Sequence, residues 1–162
     1  IVATALAGLV IVANLAALGL LIARLVVPGT SGGSLLLGAM QVWITNVIGF
    51  GLLFWELDRG GPVARRNVCR KELPPADWRF SQDENDDAVI EVAAGSSKKS
   101  GWVPIFIDYL YVSLTNSSAF SPTDTMPLTT RAKALMGLQA TAALLTSLLV
   151  IARAVGALGG GG

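Results

Sequence analysis

The chain has 162 residues, of which 52% are hydrophobic and 14% charged, with a mean hydropathy of +0.60 and a formal net charge of +1. It is too apolar and too charge-poor for an ordinary soluble domain, and it carries no basic patch interleaved with aromatics of the kind that meets nucleic acid. With no histidine, the commonest metal ligand and the commonest general base are both missing, so no enzyme chemistry, metal or cofactor is expected.

Charge is distributed in blocks. Residues 1–23, 35–55 and 134–152 carry none, and each window approaches the roughly 20 residues a helix needs to cross about 30 Å of hydrocarbon. Three membrane-spanning helices are therefore expected, with the lipid bilayer as a partner. The lone Cys69 cannot form a disulfide within the chain. The chain opens at Ile1 without a basic leader and is expected to be the ordered part of a longer protein rather than a signal peptide.

The first helix is expected over residues 1–27, stopped by Pro28-Gly29. Asn14 is its one buried polar candidate, expected to hydrogen-bond a neighbouring helix, while Arg24 is close enough to the end to snorkel. The link over residues 30–34 is too short for anything but a turn, so the second helix, over residues 35–57, must run antiparallel to the first. In it Gly38, Gln41, Thr45 and Gly49 share one face, a small and polar stripe suited to close helix packing. Trp55, followed by Glu56, Asp58 and Arg59, marks the exit into the interface.

Residues 58–101 form a polar excursion whose basic residues, Arg59, Arg65, Arg66, Arg70 and Lys71, gather at its start. Such a cluster beside a membrane points to the cytoplasmic side or to anionic headgroups; the alternative is a solvated loop. Asp83, Asn85 and Asp87 imitate the start of a calcium loop, but Ala88 and Ala94 stand where the required glycine and glutamate would be. Residues 95–101 have the composition of a flexible linker.

From Trp102 the chain turns apolar again. Pro104 suits a helix start, and a helix over residues 105–117 rises roughly 20 Å, too short to cross but long enough to reach the middle of a bilayer. A re-entrant hairpin follows, in which residues 116–127 must be enclosed by helices, because unpaired amides in lipid cost several kcal/mol. Asp108 lies in the first turn, where a carboxylate caps the helix or meets its dipole. Asn116-Ser117-Ser118 matches a glycosylation acceptor, a match taken as accidental in such a hairpin.

The last helix begins at Thr129 or Thr130, either able to cap it, and runs to about residue 158. Arg131 and Lys133 hold its first turn at the interface. Gln139, Thr146 and Arg153 recur every seven residues, a sparse polar line that would face water in a channel or pair with Gln41, Thr45 or Asn46 in a bundle. The chain thus divides into a helical hairpin over 1–57, a polar loop over 58–101, a re-entrant helix and last spanning helix over 102–158, and a glycine tail over 159–162 that reads as linker. The fold class is all-α integral membrane.

A short helix, a polar turn and then Asp124-Thr125-Met126-Pro127-Leu128-Thr129 before an inner helix resembles the pore hairpin of potassium channels. More closely, WELDRGGPVAR at 55–65 with DYLYVSLTNSSAFSPTDTMPLTTRAK at 108–133 resembles a family of uncharacterised bacterial integral membrane proteins. The resemblance implies a bacterial plasma membrane, an oligomeric ion pathway, and a filter-like stretch comprising Thr115, Asn116, Ser117, Ser118, Ala119, Phe120, Ser121, Pro122, Thr123 and Asp124. A potassium filter needs two glycines that this stretch lacks, and a proline replaces its aromatic, so a potassium-selective carbonyl ladder is not expected. The hydroxyls of Thr115, Ser117, Ser118, Ser121 and Thr123 would line a less selective opening or satisfy backbone groups in a closed one. Channel hairpins open to the outside, whereas the basic cluster points the same side to the cytoplasm. The alternative is a non-conducting subunit of a larger membrane complex.

Overall fold

The computed structural model describes residues 2–25, 27, 32–83, 101–118 and 125–159, with side chains 154 and 156–159 excepted. Three helices carry the architecture: α1 (Val2–Leu25), α2 (Gly32–Leu57) and a C-terminal helix, α5 (Thr130–Gly159). All three are long and apolar enough to cross a membrane, since 24 residues rise about 36 Å against a hydrocarbon core of about 30 Å. Their outward faces are apolar as well. Leu6, Leu9 and Val12 on α1, Ile44 and Ile48 on α2, and Leu144, Leu148 and Ile151 on α5 are all exposed, the pattern of a helix surface solvated by lipid rather than water.

The helices pack as an antiparallel series. Ala7 and Ile11 near the start of α1 join Phe50, Leu53 and Phe54 near the end of α2 in one buried cluster. At the other end, Leu21 joins Leu35 and Ala39. α5 runs antiparallel to α2, contributing Ala132 and Met136 to the first cluster, Ala142 to a middle one with Leu18 and Val42, and Leu149 to the last. Two of the small residues expected on α2 face α1: a Cβ on Gly38 would lie 2.8 Å from Leu21 Cδ1, and one on Gly49 3.4 Å from Ile11 Cγ1. The remaining members differ. Gln41 is exposed and Thr45 turns its hydroxyl to Gln41 O on its own helix at 2.8 Å, so the stripe is a packing seam only where it is glycine. Asn14 is buried but makes no side-chain hydrogen bond among the described residues.

Between α2 and the short helix α4 (Phe106–Ser117) lie a 3-10 turn Asp58–Gly60, the helix α3 (Pro62–Asn67), a 3-10 turn Arg70–Glu72, strand β1 (Trp78–Phe80) and a 3-10 turn Ser81–Asp83. β1 pairs antiparallel with β2 (Thr125–Pro127) in the register Trp78↔Pro127, Arg79↔Met126, Phe80↔Thr125. The fold is mostly helical, as expected, and bears a small two-stranded sheet at one end. Of the early basic residues, Arg66, Arg70 and Lys71 are exposed, whereas Arg59 and Arg65 turn inward. Arg59 and Arg65 are 8% and 4% exposed, and Trp78 and Phe80 sit in the same core cluster as Phe54 and Tyr109. Alternation of two buried aromatics about Arg79 draws the loop down onto the bundle, and burial of rings this large outweighs the solvation of a few charges that find partners.

α4 lies in the groove between α2 and α5, antiparallel to α2. Phe106 meets Trp55 edge-on at 5.6 Å, and the backbone of Leu110 comes so near that a Cβ on Gly51 would be 3.2 Å from Leu110 Cα. Phe80 touches Trp102, with ring centroids 5.6 Å apart, and pairs with Thr125. Trp102 and Thr125, on either side of α4 in the sequence, therefore lie at the same end of the bundle.

Gly61 makes the turn out of α2 possible. Its φ of +92° and ψ of 175° belong to a region only glycine occupies readily, and a Cβ would meet Glu56 O at 3.0 Å. Gly61→Ala is expected to cost about 1–3 kcal/mol, read as a lowered Tm of the detergent-solubilised protein, whereas Gly8→Ala, with open space around its Cβ, should leave Tm unchanged or raise it.

Candidate functional site

Two polar clusters hold α4 and the start of α5. The first is at the mouth, where α2 ends. Asp58 is fully buried, and its Oδ1 accepts backbone N–H bonds from Asp77 at 2.7 Å and Trp78 at 3.4 Å. Its Oδ2 accepts the Tyr109 hydroxyl at 2.6 Å and lies 3.4 Å from Arg59 Nε. Arg65 donates to the Asp58 carbonyl at 2.6 Å and lays its guanidinium over the Tyr109 ring at 5.0 Å. A buried carboxylate without such partners would be strongly unfavourable; here a charge-assisted bond and two amides replace its water. Arg59 takes up the left-handed conformation, with φ of 50°, that non-glycine residues rarely adopt, held there between Asp58 and Asp83.

Asp77, also fully buried, does for α5 what Asp58 does for α4. It accepts from the Thr129 hydroxyl and, at 2.8 Å, from Arg131 Nε; Arg131 Nη2 also bonds its other oxygen. Arg131 reaches Leu57 O as well, at 3.2 Å, so it clasps the loop and the end of α2. Thr129, not Thr130, caps α5, its Oγ1 accepting from Ala132 N at 3.2 Å. Trp78 completes the clasp by donating its indole N–H to Met136 Sδ at 3.4 Å.

The second cluster lies inside the bundle, where α2, α4 and α5 meet. Gln139 is fully buried; its Nε2 donates to Ser113 O at 3.0 Å and Ser117 Oγ at 2.8 Å, and its Oε1 accepts from Asn116 Nδ2 at 2.9 Å. Asn116 also donates to Met136 O at 2.9 Å. Ser113 Oγ donates to Val47 O at 2.6 Å, and Asn46 Nδ2 to Gln139 O at 3.3 Å. Asn46 Oδ1 is buried without a partner. Asn46 stands eleven residues before Leu57 and Gln139 nine after Thr130, each roughly 13–17 Å along its helix from the mouth at 1.5 Å per residue.

The structure brings together some of the residues singled out from sequence and not others. Asn46, Asn116, Ser117 and Gln139 form one network. Thr146 is buried but returns its hydroxyl to Ala142 O at 2.8 Å, and Gln41 and Thr45 take no part. Of the polar line on α5, Gln139 and Thr146 are buried and Arg153 is half-buried, and Asn46 bonds the backbone carbonyl of Gln139. Thr115 and Ser118 are half-buried and bond their own helix, at Tyr111 O and Leu114 O. Ala119, Phe120, Ser121, Pro122, Thr123 and Asp124 lie outside the described residues, as do Asn85 and Asp87. Asp108 caps α4, accepting from Ile105 N at 2.7 Å. Tyr109, Ser113 and the two mouth aspartates were not anticipated, although Tyr109, Ser113 and Ser117 recur every four residues, a face legible in the sequence. Among the described residues, no group of three or more His, Cys, Asp or Glu side chains could hold a metal. Comparison with protein-family models, curated proteins and solved structures yields no match.

Asp83 is the third carboxylate at the mouth, held by Arg59 and Arg70 and accepting from Phe80 N at 3.2 Å. Burial by itself pushes its pKa up, but the two guanidinium groups and the backbone bond outweigh it and hold the carboxyl below the usual range. A depressed folded pKa stabilises above the unfolded value, about 3.9, and the contribution fades as pH falls through the folded value. Acid titration of Tm should therefore be steeper below about pH 4 in the wild type than in Asp83→Asn. At neutral pH, Tyr109→Phe strips Asp58 of one partner and is expected to cost about 1–3 kcal/mol. In an Asp58→Asn background the same change should cost less, as a double-mutant cycle on thermal stability would show.

Proposed function

We propose that the chain is a pore-loop subunit, assembling with copies of itself around an axis in a bacterial plasma membrane, with the stretch after α4 lining an ion pathway. One observation supports this reading: a helix of 12 residues starts at the mouth of a membrane-type bundle, and its polar last turn bonds Gln139, itself bonded by Asn46, near half depth. About 18 Å of helix cannot cross a bilayer, yet it suffices to carry a chain reversal to the middle of one. Backbone reversing there must be enclosed by protein or face water, and a ring of hairpins supplies both. The likeness of the short helix, the polar turn and Asp124-Thr125-Met126-Pro127-Leu128-Thr129 to a potassium-channel pore hairpin points the same way. Without the filter glycines, discrimination among monovalent ions would be weak.

A second reading, a non-conducting subunit of a larger complex, is favoured by a different fact. Ser113, Ser117 and Gln139 turn their polar groups toward one another rather than outward. The two readings separate in one preparation. Full-length protein in liposomes is expected to form a closed ring by cross-linking and mass measurement, and to pass ions, with the current lowered severalfold in Asp124→Ala. A single copy per particle with no current in the wild type would overturn the pathway and leave the structural role.

A further inference from the structure

Arg65 presents an unusual combination of burial and unmet donors. It is 4% exposed, yet among the described residues Nε and Nη2 have no hydrogen-bond acceptor and no carboxylate forms an ion pair with it. Only Nη1 is satisfied, by the Asp58 carbonyl, while Asp58 and Glu56 act on the guanidinium through space. Burial lowers its pKa, as expected of a cation short of partners. An arginine has five N–H donors in a planar fork, suited to two oxygens of a phosphate.

The same side chain forms a wall common to two cavities. One, of about 330 Å³, is lined by Trp55, Arg65, Arg66, Pro104, Phe106 and Ile107, among others. The other, of about 180 Å³, adds Arg59 and Arg70. Val103 and Pro104 border both and lie in a stretch with neither helix nor strand, so the two cavities meet across Arg65 and this short segment. Below the larger cavity the apolar floor of Trp55, Phe106 and Ile107 runs on into the exposed stripe Ile107, Tyr111 and Leu114 of α4. A ligand fitting this site has an anionic head for the arginines and a long apolar tail for the stripe. A zwitterionic head would set its ammonium against Arg65 and Arg66.

We infer that this cleft at the α3–α4 junction binds one glycerophospholipid with a net anionic headgroup, its phosphate on Arg65 and Arg66 and an acyl chain along α4. The site is independent of whether the hairpin conducts. Native mass spectrometry of the full-length protein in phosphatidylcholine–detergent micelles titrated with phosphatidylglycerol tests it. One phosphatidylglycerol is expected to stay bound per chain, in preference to phosphatidylcholine. Retention should fall about fivefold in Arg66→Gln, on the scale of one cation at a membrane surface, and further in Val103→Trp, which fills the space between the cavities without touching charge. Because Arg65→Gln removes contacts to Asp58 and Tyr109 and so threatens folding, these two variants carry the test. Equal retention of both lipids, or phosphatidylglycerol retention unchanged in both variants, overturns the inference. A Tm rise with millimolar inorganic phosphate equal to that with phosphatidylglycerol would assign the arginines to a free anion and overturn the lipid.

Discussion

The carboxylate of Asp58 is the constraint on which the placement of α4 against α2 depends. It gathers the end of α2, the start of β1 and the second turn of α4, segments 19 and 51 residues apart, onto two oxygens. A charge so deeply buried is tolerated only when all its partners are present together, so the arrangement closes as a unit. Asp77 repeats the device one step further along the chain, binding the loop to the first turn of α5 through Thr129 and Arg131. The mouth of the bundle is therefore a cross-linked polar plug inside a shell of aromatic rings, with Phe54, Trp78, Phe80 and Tyr109 meeting tilted or edge-on at 4.7–6.3 Å.

With the upper end fixed, α4 needs no length to be stable. A 12-residue helix alone is marginal, but Tyr109 anchors it near its start, and Ser113, Asn116 and Ser117 anchor its end to Gln139 and Val47. Hydrogen bonds of this kind hold helices together where the surroundings offer no hydrophobic drive. The close approach at Gly51 lets the backbones of α2 and α4 nearly touch, so dispersion contacts add to the polar ones. The outcome is a short rod clamped at both ends, its outer stripe of Ile107, Tyr111 and Leu114 left for lipid or another copy.

What contiguous residues decide among themselves was legible from the chain alone. The three apolar helices, the shortness of α4, its cap at Asp108 and the start of α5 at Thr129 or Thr130 follow from runs, spacings and turn residues, all local properties. The helix termini shift by only a few residues: α1 was expected over 1–27 and spans Val2–Leu25, and α2 over 35–57 and spans Gly32–Leu57.

Tertiary structure alone decided which polar groups matter. Gln41 and Gln139 are both amides in apolar helices, yet one faces outward and the other is fully buried, because only Gln139 has Ser113, Asn116 and Asn46 opposite it. Arg59 and Arg65 look like a surface cluster until Asp58, Asp83 and the Tyr109 ring are brought alongside. The strands β1 and β2 are three residues each and stand 45 positions apart, too short for any period to reveal and too distant for any local rule to pair. In each case the energy lies in a contact between segments remote along the chain, and such a contact has no counterpart in the order of neighbouring residues.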